Sequence, residues 1–300
     1  MEGPREMTAT TNPEEKIQHY YDNLWSVGKD FGQRFIDGGF HFGYYERGIT
    51  NYPDARQNMN KHIGELLELE KDQAFKVLEA GCGIGATSRY LAKKYPQSQF
   101  TGISLGTEEI ELAKKITQEQ NLSNMQFLTG NYNNTGFANN SFDRIFALES
   151  IVYAVKKEDV IKELSRILKP KGKCVIIDGF FPRRYPSNSF LKHAYNLMLT
   201  KRSIPSVITL KEMQSFLESA GFTDIVIHNL SKNISLHYIF GGFFVSLRGL
   251  VYSEVKRISD RTKGKNDQDT DKLVKGAGFL EMLLGVTKNL GYYAIVATKK

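Results

Sequence analysis

An apolar strand pattern followed by three alternating glycines is the feature that most constrains this chain. The apolar run ends in the acid Glu79, and Gly81, Gly83 and Gly85 follow before a helical pattern begins near Ala86. Glycine has no Cβ atom, so the backbone can turn sharply and a ligand can approach it closely. The start of the helix offers unpaired N–H groups to the same ligand. The segment therefore predicts a strand, a tight turn and a helix that together form a ligand site.

The position of Glu79 favours one ligand class over another. A carboxylate beside the turn suits a ligand that carries an ammonium and a sulfonium, and it suits a pyrophosphate poorly. The spacing Gly81-x-Gly83-x-x-Ala86 also fits the dinucleotide pattern, which is a weak signal by itself. The end of the next strand pattern, residues 102–105, lacks the acid that NAD sites place there for the ribose. We therefore favour a sulfonium cofactor over a dinucleotide, with a purely structural turn as a third interpretation.

Size and composition exclude several protein classes. Three hundred residues with 41% hydrophobic content suit one large α/β domain with insertions, or a domain plus a cap. The net charge of +7 comes from scattered basic residues, so no nucleic-acid partner is expected. Cys82 and Cys174 are interpreted as buried thiols in a reducing compartment. No signal peptide or transmembrane stretch is recognised, which predicts a cytoplasmic protein. The sequence leaves the oligomeric state open, and a homodimer is one possibility.

Strand and helix patterns alternate from residue 76 onward, which is typical of a doubly wound, mostly parallel sheet in the α/β class. The predicted strands are 76–80, 99–103, 125–128, 142–148, 173–178, 224–229 and 291–298. The predicted helices are 54–70, 86–95, 107–120, 157–168 and 209–220. A last strand that no helix follows can join the sheet in the antiparallel direction.

The remaining segments predict a cap and a lid around this sheet. Residues 1–12 are expected to be a disordered tail, and residues 13–70 a helical and aromatic cap. Residues 71–300 form the predicted ligand-binding domain. Within it, 180–208 and 231–290 break the alternation and are predicted lid insertions. Both leave or re-enter the carboxyl side of the sheet, where ligands bind in such folds.

Several motifs in order resemble class I S-adenosylmethionine (SAM)-dependent methyltransferases. These motifs are the glycine turn 79–85, the run 141–145 and the turn 168–173, and together they span roughly a third of the chain. Residues 101–105 are similar to a stretch of sterol C-methyltransferases and cyclopropane fatty-acid synthases. Residues 147–150 with Tyr153, and the aromatic segment 41–45, are similar to segments of sterol, tocopherol and prenyl-diphosphate C-methyltransferases. The resemblance implies a Rossmann-like fold with a seven-stranded sheet.

The resemblance also implies cofactor contacts, with S-adenosylhomocysteine as the product. The methionine part is expected at Glu79, Gly81, Cys82, Gly83 and Gly85, the ribose at Ser104, Leu105 and Glu109, and the adenine at Asn131 and Tyr132. The chain has Ser104 where most members have an acid, and Asn131 where an Asp is usual, although an amide oxygen can accept the same hydrogen bond. Glu109 is equally interpreted as a first-turn acid that stabilises its helix, and Tyr132 as core packing.

An acceptor site is implied beside this cofactor. Glu149 is the candidate carboxylate for stabilising a cation, and His41 and Tyr153 complete the candidate catalytic set. Tyr20, Tyr21 and Tyr44 are candidate substrate-binding residues, each with ordinary packing as the alternative. The expected acceptor is a hydrophobic small molecule of the isoprenoid type, methylated on carbon.

Other functions remain open from the sequence. The chain could act on nitrogen or oxygen of an amine, alkaloid or polyketide-like molecule, or bind SAM without catalysis. The histidines show no metal-ligand spacing, so Mg²⁺ is expected only with a diphosphate substrate. Four basic residues could clamp such a diphosphate, but a solvated lid surface is the favoured interpretation. These residues are Arg183, Arg184, Lys201 and Arg202.

Overall fold

A computed structural model describes residues 17, 39, 41–183, 185, 189–234 and 290–300. These residues contain seven strands and six α-helices. The strands are β1 (Lys76–Ala80), β2 (Gln99–Ser104), β3 (Met125–Thr129), β4 (Phe142–Leu148), β5 (Leu168–Phe180), β6 (Phe222–Asn229) and β7 (Gly291–Lys299). The helices are α1 (Tyr52–Leu66), α2 (Ala86–Lys94), α3 (Thr107–Glu119), α4 (Lys157–Ile167), α5 (Ser189–Lys201) and α6 (Leu210–Ser219). A short 3₁₀ helix, Ile151–Tyr153, lies between β4 and α4.

The strands form a single sheet in the order β3-β2-β1-β4-β5-β7-β6. The pairs among β1 to β5 are parallel, and β7 pairs antiparallel with both β5 and β6. The predicted doubly wound, mostly parallel seven-stranded fold is therefore confirmed. The strand order reverses between β1 and β4, and the crevice outside the carboxyl ends of such strands is where ligands bind in open α/β sheets.

Helices cover both faces of the sheet. Successive strand side chains point to opposite faces, so Val77 and Leu78 belong to different apolar clusters, as do Ile145 and Phe146. One cluster includes residues of α4 and α6, and the other includes residues of α1, α2 and α3. Burial of the central strands on both faces explains why their sequences read as continuous apolar runs.

Two element boundaries differ from the sequence prediction. The predicted turn at 169–172 lies inside β5, because the ladder with β4 jumps from the pair Phe142–Leu168 to the pair Arg144–Lys173. The skipped residues bulge out, and Lys171 takes a left-handed φ of 63°. Helix α1 ends at Leu66 rather than near residue 70. The local sequence favours a turn here, but β5 pairs with β4 on both sides of it, so the turn becomes a bulge within the strand.

The predicted insertion 180–208 begins and ends at one place on the sheet. The Phe181 N–H donates to the Ile208 carbonyl at 3.1 Å, and the Leu210 N–H donates to the Phe181 carbonyl at 3.0 Å. Helix α5 lies within this excursion. The tail 1–12 and most of the insertion 231–290, from 235 to 289, lie outside the described residues, as does most of the cap before residue 41. The proposed division into tail, cap and domain stays a prediction.

Candidate active site

The glycine turn after β1 has the backbone that the sequence predicted. Gly81, Gly83 and Gly85 have φ values of 80°, 49° and 72°, all in the left-handed region. A Cβ at Gly81 would lie 2.3 Å from the Ser150 Cβ, and one at Gly85 would lie 2.0 Å from the Phe127 Cζ. Helix α2 begins directly after Gly85. The turn therefore requires glycine both for its conformation and for its packing.

A cavity of about 130 Å³ opens at the carboxyl ends of β1, β2 and β4. Its lining includes the acidic residues Glu79, Glu109 and Glu149, and no Lys or Arg among the described residues. Most of the predicted site residues meet there. They are Glu79, Gly81, Cys82, Gly83, Ser104, Leu105, Glu109, Tyr132, Glu149, His41 and Tyr153. Three acidic groups and no basic one suit a positively charged ligand and oppose a pyrophosphate.

Glu79 is the most buried of these acids, with 3% of its surface exposed. Burial raises its pKa to about 8, while hydrogen bonds from Ser88 and the charge of Arg89 act in the opposite direction. The Ser88 hydroxyl donates to Glu79 Oε2. A cationic group placed beside Glu79 would favour its ionised form, so the site fits a ligand with an ammonium.

Two further polar groups lie at the end of β2. The Ser104 hydroxyl donates to Glu109 Oε2 at 3.1 Å, and Glu109 is buried although it belongs to the first turn of α3. A carboxylate and a hydroxyl at the end of β2 can accept hydrogen bonds from a vicinal diol such as a ribose. Leu105 and Gly106 complete this side of the cavity. The ribose assignment of Ser104, Leu105 and Glu109 stays a prediction.

The two residues predicted for adenine differ in their placement. Asn131 lies in a smaller neighbouring cavity, and its Oδ1 accepts the Asn133 N–H at 2.8 Å. Tyr132 lines both cavities, and its hydroxyl donates to the Ser150 carbonyl at 2.8 Å. Tyr132 therefore ties the loop after β3 to the segment after β4, whichever ligand it faces.

Cys82 in the glycine turn also lines the main cavity. Burial raises its pKa, so this residue remains a thiol.

Glu149 holds an unusual position after β4. Its backbone has a left-handed φ of 50°, which is uncommon for a residue with a long side chain. Its Oε1 accepts two hydrogen bonds of 2.7 Å, one from the Phe42 N–H and one from the Tyr292 hydroxyl. The carboxylate is thus fixed between the aromatic segment 41–45 and β7, at the edge of the cavity. Strain of this kind persists where surrounding contacts enforce it.

His41 faces the cavity as a neutral imidazole. Its Nδ1 lies 3.0 Å from the Phe42 carbonyl and donates to it, which leaves the lone pair on Nε2. Among the described residues no hydrogen bond of normal geometry reaches this buried Nε2, and the neighbouring Asn60 side chain favours the protonated ring. Burial, with a smaller effect from the charge of Arg56, lowers the pKa of His41 to about 4, and the contacts with the Phe42 carbonyl and Asn60 oppose that shift. His41 can therefore accept a hydrogen bond or a proton from a strong acid.

The remaining predicted residues are not in this lining. Tyr44 stacks on His62 with ring centroids 4.5 Å apart, and Tyr20 and Tyr21 lie outside the described residues. Arg183 is exposed, and neither it nor Arg202 is among the described residues that line the cavity. The side chains of Arg184 and Lys201 also lie outside the described part.

Several polar residues of the site were missed by the sequence analysis. Thr87 lines the cavity and donates to Asn60 Oδ1, Ser88 holds Glu79, and the Ser150 hydroxyl donates to the Ala80 carbonyl at 2.6 Å. Ser88 could have been found from its place in the first turn of the helix after the glycines. Ser150 belongs to the motif 147–150, but its hydrogen bond could not be found from the sequence, because its partner lies 70 residues earlier in the chain.

Two absences apply to the described part of the chain. No helix there combines the length and the apolar content needed to cross a membrane. Within the same residues, no group of three or more His, Cys, Asp or Glu side chains could hold a metal ion.

Known proteins share both the sequence family and the fold. A family model described as a methyltransferase domain matches residues 71–222. The chain is 28% identical over 210 residues to a sterol 24-C-methyltransferase of Neurospora crassa, with 68% of this chain and 52% of that protein covered. It is 25% identical over 226 residues to a sterol 24-C-methyltransferase of Saccharomyces cerevisiae, with 73% and 58% covered. The chain thus spans about half the length of these curated relatives.

Two solved structures illustrate the likeness of fold. Geranyl diphosphate C-methyltransferase from Streptomyces coelicolor A3(2) has a TM-score of 0.72 and 16% identity, with 98% of this chain and 100% of that chain covered. A protein from Galdieria sulphuraria, described as a sarcosine dimethylglycine methyltransferase, has a TM-score of 0.70 and 16% identity, with 95% and 98% covered. At this identity the likeness concerns the fold.

Proposed function

The chain belongs to the class I SAM-dependent methyltransferase family, and from this premise we propose that it transfers a methyl group from SAM to a carbon atom of an isoprenoid-type small molecule. The observation that carries the proposal is the convergence of Glu79, Glu109 and Glu149 on one cavity whose described lining holds no basic side chain. Such a cavity stabilises positive charge both on a bound cofactor and on a methylated acceptor.

The described residues would hold SAM along the strand ends. Glu79 would face the ammonium of the methionine part, and the glycine turn would follow its backbone closely. Ser104 and Glu109 would accept hydrogen bonds from the ribose hydroxyls, with Asn131 and Tyr132 toward the adenine. When bound, SAM supplies an electrophilic methyl group on a sulfonium, and in-line transfer of that group leaves a neutral thioether. The protein's contribution is alignment and electrostatics.

Glu149 would act on the acceptor. When the π electrons of an alkene form the new carbon–carbon bond, the acceptor becomes a carbocation, and a neighbouring carboxylate lowers the energy of that cation. The hydrogen bonds from Phe42 and Tyr292 fix the Glu149 carboxylate before the charge develops, so little reorganisation is needed. Tyr153 would add a π face on the same side.

Loss of a proton completes the reaction. A hydrogen on the carbon beside a carbocation is strongly acidic, so a weak base is sufficient to remove it. His41 lines the cavity, and its Nε2 lone pair would receive this proton, although a pKa of about 4 makes the imidazole a poor base toward ordinary acids. The departing proton carries away the positive charge that entered with the sulfonium, so the methylated product is neutral at that carbon.

Methylation of an amine is the second candidate. The same carboxylate of Glu149 could grip an ammonium, and a protein described as a sarcosine dimethylglycine methyltransferase shares the fold. An amine acceptor develops no carbocation, so the two candidates differ in what Glu149 must do. A protein that binds SAM without turnover is the third.

The decisive test supplies methyl-labelled SAM with a panel of prenyl diphosphates, sterols and simple amines, and measures label in the organic phase after phosphatase treatment. We expect label in a hydrocarbon or prenyl alcohol. We also expect Glu149→Gln to lower kcat by about 100-fold or more while S-adenosylhomocysteine still binds. Glu111→Gln is the matched control, because Glu111 is an exposed acid that pairs with Lys114 on α3.

Each other outcome selects a different function. Label in an amine alone would support nitrogen methylation, and label nowhere despite cofactor binding would support a non-catalytic protein. Unchanged kcat in Glu149→Gln would remove Glu149 from the mechanism even if carbon methylation occurs.

A further inference from the structure

We propose that Lys157 and Asp178 are positioning residues that hold the 3₁₀ helix Ile151–Tyr153, and through it Glu149 and Tyr153, in the geometry that methyl transfer needs. The inference rests on the proposed function. Neither side chain is among the described residues that line the cavity, so neither is expected to touch the cofactor or the acceptor. Their proposed role follows from the backbone groups with which they form hydrogen bonds.

Lys157 is a buried lysine at the N-terminus of a helix, which is an unfavourable position for a positive charge. It is the first residue of α4, where the helix dipole disfavours a positive charge, and only 5% of its surface is exposed. Its ammonium turns back and donates to the Val152 carbonyl at 3.2 Å, the Ala154 carbonyl at 2.9 Å and the Ser206 hydroxyl at 3.2 Å. An ammonium has three protons, so these contacts use all of them.

Asp178 holds the same residue, Val152, by its N–H group. It lies near the end of β5 and is 4% exposed. Its Oδ2 accepts the Val152 N–H at 2.9 Å, and its Oδ1 accepts the Gly179 N–H at 2.8 Å. Val152 therefore has its N–H held by Asp178 and its carbonyl held by Lys157. We call this arrangement the Val152 clamp.

The clamp fixes the far end of the segment that carries Glu149. At the near end, the Glu149 N–H donates to the Ile177 carbonyl at 2.8 Å, and Ser150 is tied to Ala80. Glu149 has a left-handed φ between these two attachments. A segment strained at one residue and held on both sides keeps its geometry only while both holds persist.

The charges of the clamp are suited to neutral pH. Burial lowers the pKa of Lys157 to about 8, and the charge of Asp178 opposes that shift. Burial raises the pKa of Asp178 to about 6, and backbone hydrogen bonds and Lys157 oppose it. At pH 7 the ammonium and the carboxylate are therefore both predominantly charged. The third donor of Lys157 also ties the insertion 180–208 to the clamp through Ser206.

Three measurements on the full chain test the clamp. The variants are Lys157→Met and Asp178→Leu, with Lys162→Met as the matched control, because Lys162 is an exposed lysine of the same helix that pairs with Glu158. Amide hydrogen exchange reports on the Val152 N–H. The ratio of affinities for sinefungin and S-adenosylhomocysteine reports on charge at the methyl position, since sinefungin carries an ammonium there. Turnover of the labelled acceptor reports kcat and KM.

We expect faster exchange at Val152 and a smaller preference for sinefungin in both clamp variants. We also expect kcat to fall by about 10- to 100-fold, with a much smaller change in KM, because a displacement of about 1 Å suffices for such a loss. Lys157→Arg should restore part of kcat, since a guanidinium can donate to the same carbonyls. The control should match the unmodified chain in all three.

Unchanged exchange and an unchanged affinity ratio would overturn the inference, as would equal losses in kcat and in S-adenosylhomocysteine affinity. If Asp178→Leu does not fold, Asp178→Asn keeps one oxygen acceptor and should show the same effects at reduced size. If the unmodified chain methylates nothing, the proposed function fails. Exchange and the affinity ratio then still decide whether the clamp positions Glu149.

Discussion

Replacing Glu79 by glutamine is expected to change how the stability of the ligand-free protein depends on pH. Burial raises the pKa of Glu79 from an ordinary 4.5 to about 8. Between these values the unfolded chain has lost the proton that the folded protein still holds. Each pH unit in that window therefore lowers the free energy of unfolding by about 1.4 kcal/mol. Below pH 4.5 and above pH 8 the contribution of Glu79 is constant.

The width of that window sets the magnitude. Three and a half pH units at this slope amount to about 5 kcal/mol, which is an upper limit because a buried site can relax around a charge. A glutamine keeps the volume of Glu79 and can accept the Ser88 hydrogen bond, but it has no charge to bury. We therefore expect Glu79→Gln to match the unmodified protein near pH 4.5 and to be more stable by about 2 to 4 kcal/mol at pH 8.

Urea unfolding of both proteins at several values between pH 4.5 and 8 measures this difference. Asp178 and His41 titrate in the same range, but both are present in each protein, so their contributions cancel in the comparison. Glu111→Gln, which changes an exposed acid, should run parallel to the unmodified chain. A constant difference between Glu79→Gln and the unmodified protein across the whole range would refute the buried-acid account of this site.

Two other substitutions test the turn and the Glu149 contacts. Gly85→Ala should destabilise the protein by about 3 kcal/mol or more, because its Cβ would lie 2.0 Å from Phe127. The control Gly136→Ala has a similar φ of 73° but open space around its Cβ, and it should cost about 1 kcal/mol. Thermal unfolding measures both losses of stability, and equal losses would contradict the packing argument. Tyr292→Phe removes one donor to Glu149 and should lower kcat by about tenfold with little change in cofactor affinity. Steady-state kinetics measures kcat and calorimetry measures the affinity, and an unchanged kcat would show that the Phe42 N–H alone is a sufficient donor.

The sequence predicted most of the fold because the relevant signals are local. Apolar strand patterns of four to eight residues, separated by helical patterns, predicted the doubly wound sheet. The boundaries at 169–172 and at the end of α1 were the main differences. In β5 the difference has a physical cause, since pairing with β4 continued on both sides of a turn that propensity alone would have placed outside the strand.

The sequence also indicated which residues surround the cavity, but not how they are held. Glu149 was identified from its place after β4, whereas its partners Phe42 and Tyr292 are 107 and 143 residues away. Tyr44 belongs to the same aromatic segment as His41, yet it stacks on His62 rather than lining the cavity. Aromatic composition predicts burial, and only packing decides which surface a ring meets.

The sequence by itself determined the glycine turn, the order of strands and helices, and the acids at the ends of β1 and β4, because backbone conformation and apolar periodicity are properties of neighbouring residues. The tertiary structure alone decided that β7 enters between β5 and β6, that Glu79 is buried deeply enough to raise its pKa, and that Lys157 and Asp178 meet at Val152. Those features depend on which distant surfaces exclude water together, and no local pattern carries that information.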